Sequence, residues 1–142
     1  MIIHSEQDMI AFGEQFATNY FKVKPCNDVI ELIGDIGTGK TTLVKGIAKG
    51  LGITDKINSP SFMISKTYHS EKQPITLTHF DFYRLTDPGI MQEELSESIE
   101  NPNAITIIEW ASAVKNVLPK NRIKITISYN DDGTRTLEVS EP

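Results

Sequence analysis

Gly34-Asp35-Ile36-Gly37-Thr38-Gly39-Lys40-Thr41 has the G-x-x-x-x-G-K-T pattern of a phosphate-binding loop, the Walker A sequence. Gly34, Gly37 and Gly39 carry no Cβ, so the backbone between them can curl and aim its NH groups at phosphate oxygens. The loop opens a helix, whose first NH groups lack intrahelical partners and whose dipole favours an anion. Lys40 is placed to reach the β- and γ-phosphates, the Thr41 hydroxyl to reach an accompanying Mg²⁺, and Thr42 to meet the α-phosphate. The expected contacts to a nucleotide are Asp35, Ile36, Gly37, Thr38, Gly39, Lys40, Thr41 and Thr42. A Gly-rich turn that merely caps a helix is the bland alternative, disfavoured by the strand before the loop and the helix after it.

Phosphate chemistry also needs acidic partners at strand ends, to organise Mg²⁺ and the attacking water. Glu109 follows the apolar run Ile105-Thr106-Ile107-Ile108 and fits a carboxylate at the C-terminal edge of a central strand. Asp81 follows the more mixed Leu77-Thr78-His79-Phe80. One could hold the metal through water and the other orient the nucleophilic water; the spacing does not divide the two roles. Ser59-Pro60-Ser61 reads either as a hydroxyl that senses the γ-phosphate or as an ordinary proline turn. His79 reads as a phosphate contact or, the favoured reading, a hydrogen-bonded interior residue, Trp110 as a core or rim aromatic, and Arg84 as a surface arginine or a transition-state cation. There is no Asn-Lys-x-Asp for guanine, no Asp-x-x-Gly switch, and no arginine-rich lid after the loop helix, only Arg84, Arg122 and Arg135. A GTPase is disfavoured, and adenine is the default base.

The elements that must hold these groups follow from periodicity. Val29-Ile30-Glu31-Leu32-Ile33 enters the loop as a strand, and Leu43, Val44, Ile47, Ala48 and Leu51 form one face of the helix that leaves it. Ser5 is an N-cap for a first helix whose stripe is Met9, Ile10, Phe12, Phe16, Ala17 and Tyr20, ending near Lys24-Pro25. Residues 62–68 and 75–82 alternate as strands across the polar turn 70–74 and predict an antiparallel hairpin, hence a mixed sheet. A short helix or two over 91–99 precedes a buried strand at 104–108, and one or two helical turns follow over 111–117. Ile123, Ile125 and Ile127 alternate with polar residues, and Asp131-Asp132-Gly133 turns into a last strand at 136–139. The sum is an α/β fold, a three-layer sandwich of the P-loop nucleoside triphosphate hydrolase kind with a mixed parallel and antiparallel sheet.

Bulk properties bound the reading. The 142 residues read as one domain over 1–142. A single cysteine, Cys26, permits no internal disulfide, and no Cys/His metal cluster is present, so a reducing cytoplasm fits. No secretory leader and no membrane-spanning run are expected. A net charge of −5 and a pI near 5.2 argue against a broad electrostatic grip on nucleic acid by this chain alone.

The chain resembles the TsaE (YjeE) family. The resemblance is carried by Gly34 to Thr42, Ser59-Pro60-Ser61-Phe62, His79-Phe80-Asp81-Phe82-Tyr83-Arg84-Leu85 with Asp87-Pro88, Ile108-Glu109-Trp110 and Leu118-Pro119, in order and spacing. It implies an Mg²⁺-dependent ATPase of the tRNA N6-threonylcarbamoyladenosine pathway, weakly active alone and faster on TsaD and TsaB. Those partners modify adenosine 37, so tRNA is met only indirectly. The resemblance further implies loop roles for Lys40 and Thr41, an Mg²⁺-associated carboxylate at Glu109, a catalytic acidic residue at Asp81, and a place near the nucleotide for Glu6. Three departures stand out: Ser61 where the family has Thr, an altered run from Gly89 to Leu95, and Ala111 in place of a proline. A small-molecule kinase and a nucleotide-gated binding module are the rival readings.

Overall fold

A computed structural model describes residues 1–21, 28–58, 64–83, 85 and 87–142. The strands are β1 (Ile2–Ile3), β2 (Val29–Ile33), β3 (Ser65–His69), β4 (Thr76–Asp81), β5 (Ala104–Glu109), β6 (Ile123–Tyr129) and β7 (Arg135–Ser140). The helices are α1 (Glu6–Tyr20), α2 (Lys40–Gly50) and α3 (Met91–Glu100), with a 3₁₀ helix over Ala111–Val117. One sheet has the order β1-β7-β6-β2-β5-β4-β3. Its four central strands, β6, β2, β5 and β4, run parallel, and antiparallel partners close both edges. The expected hairpin of β3 and β4 is present, and the sheet is mixed as expected.

The layers follow from alternation along the strands, because successive side chains point to opposite faces. Ile30, Leu32, Leu77, Ile105, Ile107, Ile123, Ile125 and Ile127 belong to the core that packs on Leu43, Val44 and Ile47 of α2 and on Met9 and Ala17 of α1. Val29, Phe80 and Ile108 point the other way, into a second core with Leu95 of α3 and Ala111 and Val114 of the 3₁₀ helix. Helices therefore cover both faces, which is why β2 and β5 are apolar almost without interruption. Glu31 is the exception on β2: its carboxylate accepts from Arg122 Nε at 2.7 Å.

Two features differ from the sequence reading. β1 has two residues, too few to show a period, and is held by pairing with Arg135 and Thr136 of β7. Helix α1 stops at Tyr20, where the Phe21 NH closes on the Ala17 carbonyl. The helical turns expected over 111–117 are present and are of the 3₁₀ kind. Cys26 lies outside the described residues.

Helix α2 is fixed by contact with α1. A Cβ at Gly46 would lie 2.3 Å from the Ile10 carbonyl oxygen, and one at Gly13 would lie 2.7 Å from that of Leu43. Backbone meets backbone there, with no flexible side chain to move aside. Gly46→Ala should force the two helices apart and lower stability by about 1–3 kcal/mol, read from chemical denaturation; an unchanged midpoint would show that the close approach is not needed.

Candidate functional site

The site is built at the C-terminal edge of the parallel strands, on the face that carries α1 and α2. Chain direction brings β2 out at that edge, and residues 34–39 turn it back into α2. Gly39 caps α2 with φ 108° and ψ 21°, a left-handed conformation that L side chains avoid. A Cβ there would also lie 3.2 Å from Met9 Cε. The loop is braced internally, since the Thr38 hydroxyl donates to the Asp35 carbonyl at 2.9 Å.

Lys40, the first residue of α2, is 7% exposed. Its ammonium donates to the carbonyls of Gly34 and, at 3.0 Å, Asp35. It lies 4.0 Å from Glu109 Oε1 and 4.5 Å from the centroid of the Trp110 ring. A buried ammonium is thus matched by two dipoles, one carboxylate and one π face.

The two acidic residues arrive by strand register. β4 and β5 are parallel neighbours in which Asp81 pairs with Glu109. Both continue the alternation of residues that face α2: Leu77, His79 and Asp81 on β4, and Ile105, Ile107 and Glu109 on β5. Both side chains are buried, and Asp81 Oδ1 accepts from the Tyr83 NH at 3.0 Å. Glu109 Oε2 is 2.5 Å from Nε2 of His79, which has no exposed surface. His79 is indeed interior, as its place on a strand suggested, and its partner is the candidate site carboxylate itself. Its Nδ1 has no hydrogen-bond partner among the described residues.

A cavity of about 500 Å³ opens at this place. Glu6, Ile36, Gly37, Gly39, Lys40, Thr41, Thr42, Asp81 and Glu109 all line it. Asp35 and Thr38 instead line a neighbouring cavity on the other side of the loop, with Ile33 and Ser128. The cavity that Lys40 borders has five further residues that the sequence did not assign to the site as contacts: Ser5, Met9, Tyr83, Trp110 and Arg135. Trp110 is at its rim in a left-handed conformation with φ 56°, stacked obliquely on Tyr83 at 4.9 Å between ring centroids. Its place next to Glu109 was the available signal; for Arg135, 26 positions further on in the chain, a single sequence gives none. Arg122, one of the three arginines that follow the loop helix, is engaged with Glu31 and the Pro119 carbonyl. Ser59, Ser61 and Arg84 lie outside the described residues. Among the described residues no three His, Cys, Asp or Glu side chains form a metal cluster, and no helix is long and apolar enough to cross a membrane.

The model of the family described as threonylcarbamoyl adenosine biosynthesis protein TsaE matches residues 3–137. The chain is 33% identical over 138 residues to the tRNA threonylcarbamoyladenosine biosynthesis protein TsaE of Haemophilus influenzae, covering 96% of this chain and 85% of that one. It is 40% identical over 111 residues to the protein of the same name from Bacillus subtilis, covering 78% and 67%. Among solved structures, that of Bacillus subtilis YdiB superposes with a TM-score of 0.78 at 30% identity, over 99% of this chain and 83% of that one. Its likeness accords with a P-loop nucleoside triphosphate hydrolase-like fold.

The hydrogen bond between His79 and Glu109 should matter to stability on its own. His79→Leu leaves a buried carboxylate short of a donor and is expected to cost about 1.5–3 kcal/mol in urea unfolding, whereas His79→Gln, which keeps an NH, should recover much of it. Equal losses in both variants would mean that ring packing, not the bond, is what His79 supplies.

Proposed function

We propose, from the premise that the chain belongs to the TsaE family of tRNA threonylcarbamoyladenosine biosynthesis proteins, that it is the pathway's Mg²⁺-dependent ATPase. In this reading it hydrolyses ATP in complex with TsaD and TsaB, supports repeated modification cycles, meets tRNA only through those partners, and works in the cytoplasm as one domain. The observation that carries the hydrolase reading is convergence: Lys40, Thr41, Asp81 and Glu109, from three separate elements, line one cavity at the phosphate loop.

The donors in that cavity suit Mg²⁺. Thr41, Asp81 and Glu109 offer hard oxygen ligands, and Mg²⁺ commonly takes one or two protein groups, with phosphate oxygens and water for the rest. Thr41 and Glu109 would hold it. Bound there, the ion would neutralise charge on the β- and γ-phosphates.

The chain's own residues do the remaining work. Backbone NH groups of Gly37 and of residues 39–42 and the Lys40 ammonium bind the phosphates, at the positive end of the α2 dipole. Asp81, whose Oδ1 is tied to the Tyr83 NH, holds the attacking water in line with the γ-phosphorus. The water oxygen bonds to phosphorus as the bond to the β–γ bridging oxygen breaks, giving ADP and inorganic phosphate, and the water's proton passes to solvent or phosphate. Catalysis of this kind is mostly positioning and charge stabilisation. Glu6, at the start of α1, lies beside the nucleotide.

Phosphate release should be slow for the chain alone, rise with TsaD and TsaB, and vanish when EDTA removes divalent ions. Lys40→Ala should abolish it with the fold retained, and Asp81→Asn should lower kcat by about 100-fold. Unchanged turnover in Lys40→Ala would end the ATPase reading. Phosphate transfer to an added metabolite would favour a kinase. Nucleotide-dependent binding to TsaD and TsaB that survives loss of both Asp81 and Glu109 would favour a binding module.

A further inference from the structure

The phosphate loop sits between two unlike walls. It leaves the end of β2; β5 and β4 bring Glu109 and Asp81 up on one side, and β6 and β7 bring Tyr129 and Arg135 up on the other. β6 runs parallel to β2, so Tyr129, its last residue, emerges at the same edge as the loop. The turn after it returns the chain so that Arg135 pairs with Tyr129. Both continue the alternation of Ile123, Ile125, Ile127 and Leu137 and so stand on the face of α1 and α2.

Arg135 is held there firmly and used lightly. Its guanidinium lies over the Tyr129 ring at 4.9 Å from the centroid, and Nη2 donates to the Gly37 carbonyl at 3.3 Å. The Tyr129 hydroxyl donates to the same carbonyl. Among the described residues the enclosed Nε has no hydrogen-bond partner, and no carboxylate lies within ion-pair distance of this side chain. A guanidinium has five donors, and an aromatic face meets its charge without accepting any of them. The enclosed Nε is a cost of packing the side chain there, and it is the outer edge of the guanidinium, where Arg135 borders the cavity, that offers its charge and its NH groups to an anion. Among the described residues that line the nucleotide-side cavity, Arg135 and Lys40 are the two cations.

We infer that Arg135 binds the nucleotide's polyphosphate at its α/β end, opposite the end served by Asp81 and Glu109. The inference rests on the nucleotide reading above. The reacting γ-phosphorus belongs beside the carboxylates, whereas Arg135 adjoins Gly37 and Gly39 on the far wall. A planar fork matches two phosphate oxygens better than an ammonium does, so this is a site for arginine rather than lysine.

Calorimetric titration with Mg²⁺-ATP and Mg²⁺-ADP tests this on the wild-type chain and on Arg135→Gln, Arg135→Lys and Tyr129→Phe. Arg135→Gln should weaken both nucleotides by the same factor, about 10-fold or more, with Arg135→Lys recovering part of it. Tyr129→Phe keeps the ring and loses only the hydroxyl on the loop, so its affinity should stay within about 3-fold. Wild-type affinity in Arg135→Gln would overturn the inference while leaving the nucleotide reading intact. A loss confined to ATP would overturn the α/β placement. An equal loss in Tyr129→Phe and Arg135→Gln would show that the arginine only braces the loop. Binding of neither nucleotide by the wild-type chain would remove the nucleotide reading and the inference together.

Discussion

An ammonium group buried at the edge of a sheet has to be neutralised, and the way Lys40 is neutralised dictates the rest of this site. Loop carbonyls can supply two acceptors, but a full counter-charge must come from another strand. Glu109 provides it only because β5 lies directly beside β2 and runs the same way, so that both strands end at one level. Trp110 completes the enclosure. Its left-handed backbone, at φ 56°, ends the strand sharply and brings the ring over the ammonium. Lys40 is the hinge between strand order and loop chemistry: move β5 one place in the sheet and the cation loses its partner.

The same network accounts for His79. A carboxylate with two oxygens, one turned toward Lys40, needs a donor for the other, and His79 Nε2 is that donor. The period of two along β4 then makes a second acid available at no structural cost. His79 and Asp81 share a face, and parallel register sets Asp81 beside Glu109. Below this edge the same face is made of Leu77, Ile105 and Ile107, so polarity begins abruptly where the strands meet the loop. The tight passage of α1 over α2 at Gly13 and Gly46 fixes the other side, holding Met9 against Gly39 and Glu6 in the cavity wall.

Much of this is legible in the chain because residue type alone constrains it. Glycines at 34, 37 and 39 before Lys-Thr admit few uses, and apolar runs such as Ile105-Thr106-Ile107-Ile108 admit few places other than a covered strand. The carboxylates at 81 and 109 are readable as strand-end residues for the same reason. What resists reading is whatever depends on which strands are neighbours. Arg135 reaches the loop through the adjacency of β7, β6 and β2, and β1 exists only as a partner of β7. Nor does the loop pattern say which way each side chain turns. Ile36 and Gly37 border the cavity that holds Lys40 while Asp35 and Thr38 turn to the other, a consequence of the curl between Gly34 and Gly39.

Stability gives little reason for such an edge. Buried ion pairs replaced by well-packed apolar residues of similar volume are often neutral or stabilising exchanges, and Lys40, His79 and Glu109 could in principle be so replaced within this Ile- and Leu-rich layer. His79 even retains a ring nitrogen without a hydrogen-bond partner among the described residues, a cost that packing does not recover. Tight placement of charge in a low-dielectric setting is what such a network does provide. Fixed charges there would need no reorganisation during a reaction of the kind proposed, and they act more strongly than they would in water. The polar island at the end of an apolar sheet is therefore better explained by the hydrolysis proposed for it than by the fold it belongs to.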